Sequence, residues 1–154
     1  MTAPDVSPLE LTFSVACPQD HAFRVWTDRF GTWWPRSHVM SGTDDPDVFL
    51  EPELGGRIFE RTASGDEFDW GTIVRWEPPI VLGFRWHLMF DPAEATDVEV
   101  HFDPGPDDGG PTTTIRIVHG GWDRLGEAGP ERRDRNEAGW TGVVAHFRPA
   151  AEHP

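Results

Sequence analysis

The chain has 154 residues, a length that fits one domain with a core large enough to fold without covalent cross-links. Its 27 acidic and 13 basic residues give a formal charge of −14, which disfavours phosphate backbones and anionic membranes, so we expect no nucleic-acid and no membrane partner. A single cysteine, Cys17, excludes an internal disulfide. Because neither a secretory signal nor an apolar stretch of transmembrane length is visible, the sequence predicts a cytoplasmic protein.

The first third of the chain is predicted to contain one strand and two helical segments. Residues 1–8 are polar with two prolines and predict a flexible tail. The alternation from Leu9 to Val15 is typical of a half-buried strand, and Pro18 begins a helix that ends by Gly31. The two adjacent tryptophans of the FGTWWP segment favour a short helical turn that closes one end of the core.

Six further strands are predicted after this turn, at 48–53, 57–63, 67–77, 80–88, 96–103 and 112–119. Hairpin-length loops join them, so the sheet should be antiparallel. Within the third of these strands, alternation predicts one shared face for Phe68, Trp70, Thr72, Val74 and Trp76. In the segment Arg57–Ala63 the alternation is poor, so either Phe59 or the pair Ile58 and Glu60 faces inward.

The long element is a helix predicted from Pro130 to Phe147, followed by a flexible tail at residues 149–154. Its apolar stripe comprises Trp140, Val143, Val144 and Phe147, and the same stripe continues upstream as polar Arg133, Asn136 and Glu137. It is the only element long enough to cover the sheet, which predicts an α+β fold with the order β-α-α-β6-α. The polar half of the stripe either lines a wet pocket or overhangs the sheet in water.

The back of this helix carries small residues at helical spacing, namely Ala138, Thr141, Gly142 and Ala145. Either this face lies in water, or a loop or a second subunit packs closely against it. The second alternative leaves room for a homodimer.

Sequence motifs for cofactors and metals are missing. There is no Walker loop and no dinucleotide-binding glycine pattern, and none of the seven histidines forms a close metal-ligand pair with another His or with Cys. We therefore expect no cofactor and no metal. Two residues remain open to either a structural or a chemical role: His119 ends a strand on its apolar face, and Glu60 would make a plausible acid–base couple with it if the two met.

Several phrases, taken with their order and spacing, resemble the SRPBCC (START/polyketide-cyclase-like) superfamily. They are FGTWWP, EPELGGRIFER, WGTIVRWEPPIVLGFRW, TDVEVHF, TTTIRIVHGGW and GWTGVVAHF. More narrowly, they are similar to its branch of homologues of the activator of the heat-shock protein 90 ATPase. The resemblance implies a single helix-grip domain at residues 9–148. In this fold a curved antiparallel sheet of about seven strands wraps around a long C-terminal helix, and a ligand cavity lies between them. Members bind lipids, hormones or polyketides, a few catalyse cyclisation or dehydration, and no universal catalytic set can be carried over.

The leading hypothesis is therefore a protein that binds a small apolar or amphipathic molecule and has no defined reaction. Its candidate cavity residues are Trp34, Phe59, Glu60, Trp70, Phe84, Trp86, Ile117, His119, Asn136 and Trp140. One alternative is a cyclase- or dehydratase-type enzyme that uses His119 and Glu60. The other, ranked last, is a chaperone-partner module.

Overall fold

A computed structural model describes residues 6–43, 45–88, 90–107 and 109–153. Residues 1–5 of the predicted N-terminal tail, and residue 154 of the C-terminal one, lie outside this part of the chain. The elements are β1 (Leu9–Val15), α1 (Gln19–Asp28), α2 (Phe30–Trp33), β2 (Asp47–Leu50), β3 (Arg57–Arg61), β4 (Glu67–Glu77), β5 (Val81–Trp86), β6 (Thr96–Pro104), β7 (Thr113–Gly120) and α3 (Gly129–Glu152). Short 3-10 helices lie at Pro92–Glu94 and Trp122–Ala128.

All seven strands form one antiparallel sheet in the order β1-β7-β6-β5-β4-β3-β2. The sheet curls into a half-barrel, and α3 lies along it, so the predicted α+β helix-grip fold is confirmed. The strands from β2 to β7 are joined in sequence order to their neighbours in the sheet. Strand β1 forms one edge and pairs with β7, from Leu9 opposite His119 to Val15 opposite Thr113.

Two irregularities interrupt the pairing of β4 and change which side chains face the core. The register shifts between Ile58 and Phe59 on the β3 side, and between Ile73 and Arg75 on the β5 side. Each extra residue reverses the inward and outward alternation beyond it. The predicted shared face is therefore wrong in part: Trp70 is buried, but Thr72 and Val74 are exposed, and Ile73 points into the core instead.

Aromatic rings fill the space between α3 and the sheet. Trp140 of α3 lies between two tryptophans in nearly parallel planes, with centroid distances of 6.5 Å to Trp26 and 6.0 Å to Trp86. Deeper along the helix, Phe147 contacts Trp26 at 4.9 Å and Trp33 at 5.0 Å. These stacked and tilted contacts pack α1, α2 and α3 into one core, so the space left for a ligand is at the margin of this cluster.

The C-terminal end of α3 corrects the predicted boundary. The helix continues past Phe147 and through Pro149 to Glu152, so residues 149–152 are not a free tail. Pro149 cannot donate a backbone hydrogen bond, but Ala151 is fully buried, and its carbonyl oxygen accepts from His21 Nε2 at 3.1 Å. The Glu152 carboxylate also accepts from the backbone N–H of Ala16 at 2.8 Å. These tertiary contacts stabilise a turn that the sequence alone disfavours.

The small-residue face of α3 is mostly exposed in the single chain. Ala138, Thr141 and Ala145 are exposed, whereas Gly142 is half-buried and lies under the imidazole ring of His38. A loop therefore covers one position of this face, and the homodimer stays a prediction. None of the helices in the described part of the chain is both long and apolar enough to cross a lipid bilayer.

Candidate functional site

A cleft opens where the first half of α3 meets the end of β5. We call it the outer cleft; it has a volume of about 290 Å³. Its walls are Ser37, His38, Trp86, Leu88, Phe90, Arg135, Asn136 and Gly139. An inner recess of about 40 Å³ adjoins it, shares five of these residues and adds Trp34, Trp140 and Val143. The recess is large enough for one or a few water-sized groups, so most of any ligand would lie in the outer cleft.

Three tryptophans give the recess rigid walls. Trp86 and Trp140 are nearly parallel, with an interplanar angle of 28°. Trp34 meets both edge-on, at centroid distances of 5.7 Å from Trp86 and 6.4 Å from Trp140. All three side chains are at least 95% buried, which makes the recess a preformed apolar surface.

The loop that follows α2 is anchored to the sheet by a buried carboxylate. Glu60 is fully buried and accepts hydrogen bonds from the backbone N–H of Met40, from that of Ser41 at 3.1 Å, and from Trp70 Nε1 at 2.9 Å. All three partners are donors, so the ionised form of the carboxylate suits this environment. The indole N–H of Trp34 adds a bond to the carbonyl oxygen of His38 at 2.8 Å, which fixes His38 at the mouth of the cleft.

His119 lies behind Trp140, fully buried, with both ring nitrogens bonded. The indole Nε1–H of Trp140 can only donate, so His119 Nδ1, 2.9 Å away, accepts and carries no proton. The proton therefore lies on Nε2, which donates to Thr96 Oγ1 at 2.6 Å. Burial lowers the pKa of His119 to about 3, which agrees with this neutral, doubly bonded ring. The network positions Trp140 and leaves neither nitrogen for a ligand.

Glu60 and His119 do not form the acid–base couple considered from the sequence. Each is saturated by its own partners, and no hydrogen bond joins the two in the part of the chain that the structure describes. Both side chains hold the walls of the site in place and do not face the cleft.

Four of the ten residues predicted from the sequence line the cleft or its recess: Trp34, Trp86, Asn136 and Trp140. Trp70 packs one layer behind, 5.4 Å from Trp34. Phe84 and Ile117 are buried in the core without bordering the cleft. Phe59 lies on the other face of the sheet, stacked on Phe49 at 5.0 Å beneath the Arg57 guanidinium, because the side chains of β3 alternate and its neighbours Ile58 and Glu60 both face inward.

His38 is one of the lining residues that sequence reasoning missed. Burial, with a smaller contribution from His146, lowers its pKa, so the ring is neutral near pH 7. Ser37 Oγ lies 2.9 Å from its Nδ1. Its loop has no periodic pattern, so nothing in the sequence indicated that it borders a cavity. Gly139 was also missed, although its spacing of three residues from Asn136 places it on the same helix face.

Within the described residues, no cluster of three or more His, Cys, Asp or Glu side chains is arranged to hold a metal ion. The thiol of Cys17 is buried, and its pKa is raised to about 11 by that burial and by the nearby Glu152 and Asp20 carboxylates. It is therefore a small buried apolar group at neutral pH.

Solved structures with the same architecture cover nearly the whole chain. One is the anthrahydroquino-gama-pyrone synthase Txn09 complexed with SUM, 28% identical, matched over 97% of this chain and 99% of that one with a TM-score of 0.63. Another is the self-sacrificing resistance protein CalC from Micromonospora echinospora, 24% identical over 95% and 94% of the two chains with a TM-score of 0.69. This chain has the helix-grip fold of the SRPBCC superfamily.

The Aha1 dimer from Colwellia psychrerythraea shares that fold as well, at 12% identity over 95% of this chain and 96% of that one, with a TM-score of 0.65. At this identity the likeness concerns the fold alone. The 28% identity to Txn09 and the shared fold confirm the resemblance to the superfamily that the sequence predicted. No protein-family model and no curated protein matches this chain.

Proposed function

We propose that this protein binds a small, flat and mostly apolar molecule in the outer cleft, with one edge inserted into the inner recess. The observation that carries the proposal is the preformed wall of Trp34, Trp86 and Trp140 at the base of an otherwise open cleft. Aromatic walls favour flat ligands, because ring faces and edges stack with little loss of conformational entropy. The cleft lies at the lower end of the usual size for ligand sites, which favours one to three fused rings over a long lipid.

Two polar groups at the mouth are suited to orient the ligand. Asn136 Nδ2 donates to the carbonyl oxygen of Arg132 at 2.8 Å. The amide oxygen of Asn136 therefore points away from that carbonyl and can act as an acceptor. The His38 ring is neutral and half-exposed beside it. Such sparse polar atoms on an apolar wall are typical of sites that select a ligand by orientation.

The neighbours support a small-molecule role. Txn09 is named as a synthase and is complexed with a molecule, and CalC is named as a resistance protein. No reaction is proposed here, because the two residues considered for acid–base chemistry are fully engaged in structural hydrogen bonds. We also propose a cytoplasmic location without nucleic-acid partners, which the charge of −14 supports.

The test uses Gly139, which borders both the cleft and the recess. A Cβ added there would meet no heavy atom within 4 Å, so a side chain can start at this position without a clash and would project into the cleft. We expect aromatic probes of one to three rings, including 2-methylnaphthalene and 2-acetonaphthone, to shift the indole ¹H–¹⁵N signals of Trp34, Trp86 and Trp140 saturably. Gly139→Leu should weaken binding about tenfold or more, with an equal or higher melting temperature, because glycine is a poor helix former.

The matched control is Ala138→Leu, one residue earlier on the exposed face of the same helix. It should leave the affinity within about twofold of wild type. If no probe gives saturable shifts, or if Gly139→Leu binds as well as Ala138→Leu, the cleft is not the binding site.

A further inference from the structure

Two buried polar atoms beside the outer cleft have no hydrogen-bond partner among the described residues. They are His87 Nδ1 and Arg132 Nη1. Both residues line one small cavity of about 10 Å³, bordered also by Trp86, Leu88 and Asn136, which are residues of the outer cleft. Buried polar atoms are almost always paired in folded proteins, so two unpaired atoms at one cavity indicate a missing polar partner.

The Arg132 side chain is held in place by its neighbours, although its Nη1 atom has no hydrogen-bond partner among the described residues. Its guanidinium lies 3.6 Å from the centre of the Phe90 ring, and its Nη2 donates to Glu94 Oε2 at 3.0 Å. The Glu94 carboxylate thus balances the positive charge. The Nη1 group can only donate a hydrogen bond, so its missing partner must be an acceptor.

His87 is fixed at the end of β5 by its backbone. Its N–H donates to the carbonyl oxygen of Trp70, and its own carbonyl oxygen accepts from the N–H of Phe90, both at 2.7 Å. The Nδ1 atom of a neutral imidazole can carry the proton and act as a second donor. Two donors at one cavity of atomic size suit a single oxygen with two lone pairs.

We propose that this cavity is a subsite for a neutral carbonyl oxygen of the ligand, held by Arg132 Nη1 and His87 Nδ1. The proposal rests on the proposed function, since the rest of the ligand would lie in the outer cleft. The cavity volume admits one oxygen atom and no larger group. A ketone is favoured over a carboxylate, because Glu94 already neutralises Arg132 and the chain carries a net charge of −14.

The experiment compares probes that differ in this oxygen. Wild-type protein is titrated with 2-acetonaphthone, 2-methylnaphthalene and 2-naphthoate by isothermal titration calorimetry. We expect the ketone to bind about tenfold or more tighter than the hydrocarbon, as befits a hydrogen bond from a charged donor, and tighter than the carboxylate. Arg132→Met keeps an apolar side chain against Phe90 but removes the donor, so the preference should fall to within about twofold.

The matched control is Arg148→Met, which removes the same charge from an exposed arginine of the same helix that borders neither the outer cleft nor the small cavity. It should preserve the preference for the ketone. If the melting temperature of Arg132→Met is much lower than that of wild type, His87→Phe gives the same test with the other donor of the cavity. This variant should also abolish the preference for the ketone over the hydrocarbon.

The outcomes separate the two proposals. If the hydrocarbon binds saturably but the ketone gains nothing, or if the gain survives both Arg132→Met and His87→Phe, the carbonyl subsite is wrong and the binding cleft stands. If none of the probes binds, the proposed function fails and the subsite falls with it. In a crystal structure of the ketone complex, the carbonyl oxygen should lie within hydrogen-bond distance of both atoms; a water molecule there instead, with the carbonyl elsewhere, would overturn the proposal.

Discussion

The buried histidine predicts a specific acid sensitivity of the fold. The groups that face His119 are Trp140 from α3, Thr96 from β6 and the Trp122 ring at 4.2 Å, and none of them is charged. The neutral ring is therefore favoured in the folded state, where its pKa is about 3, whereas in the unfolded chain it is near the ordinary value of 6.5. Between these values the unfolded state binds the extra proton, so the free energy of unfolding decreases as the pH falls.

The size of the effect follows from the two pKa values. Within the window the slope approaches about 1.4 kcal/mol per pH unit, so lowering the pH from 7 to 5 should remove about 2 kcal/mol of the free energy of unfolding through His119 alone. The stabilisation is fully present above about pH 7 and is lost progressively towards pH 3.

Urea denaturation at pH 7, 6 and 5 measures this loss, with His119→Gln as the reference. The glutamine amide offers an acceptor to Trp140 and a donor to Thr96 but does not titrate. Its lower stability at pH 7 is of no consequence, because only the change with pH is compared. Wild type should lose about 2 kcal/mol more than His119→Gln between pH 7 and pH 5, while His153→Gln, at an exposed position, should follow wild type. Equal losses in wild type and His119→Gln would refute a buried neutral His119.

Two further substitutions test the support of the cleft and the back of α3. Glu60→Gln places amide hydrogens against three N–H donors and should lower the free energy of unfolding, measured in urea, by about 1–3 kcal/mol. The control Glu53→Gln, at an exposed position, should change it by less than about 0.5 kcal/mol. If Glu60→Gln leaves the free energy of unfolding unchanged, the carboxylate does not anchor the loop. Gly142→Ala should raise the free energy of unfolding by about 0.4–1 kcal/mol, because the added Cβ would meet His38 at an ordinary contact distance of 3.5 Å while the unfolded chain loses freedom; a destabilised Gly142→Ala would show that this contact is too tight.

Local periodicity in the sequence determined most of the architecture. The alternation in β1, β6 and β7 matches the observed burial, and the spacing of Trp140, Val143 and Phe147 matches the buried stripe of α3. Such patterns are readable because side-chain direction repeats every two residues in a strand and every 3.6 in a helix. The number of strands and their antiparallel pairing followed from the same patterns and from short loops.

Where the periodicity breaks, only the tertiary structure could decide. The irregularities of β4 reverse its alternation, so that Trp70 and Ile73 both face the core. In β3 the alternation is regular, and the tertiary structure chose Ile58 and Glu60 for the inner face and Phe59 for the outer one, a choice that the sequence had left open. The extension of α3 to Glu152 depends in the same way on partners far away in sequence, His21 and Ala16.

The cleft was the least accessible to sequence reasoning. Trp34, Trp86 and Trp140 were named because large aromatic groups must be buried somewhere, which composition alone indicates. Three features depend on contacts between segments 21 to 106 residues apart. The three tryptophans surround a small recess, His119 is bound to Trp140, and Arg132 and His87 have unpaired atoms and border one cavity. Such contacts are set by how the whole sheet curves around α3, and no local pattern encodes that curvature.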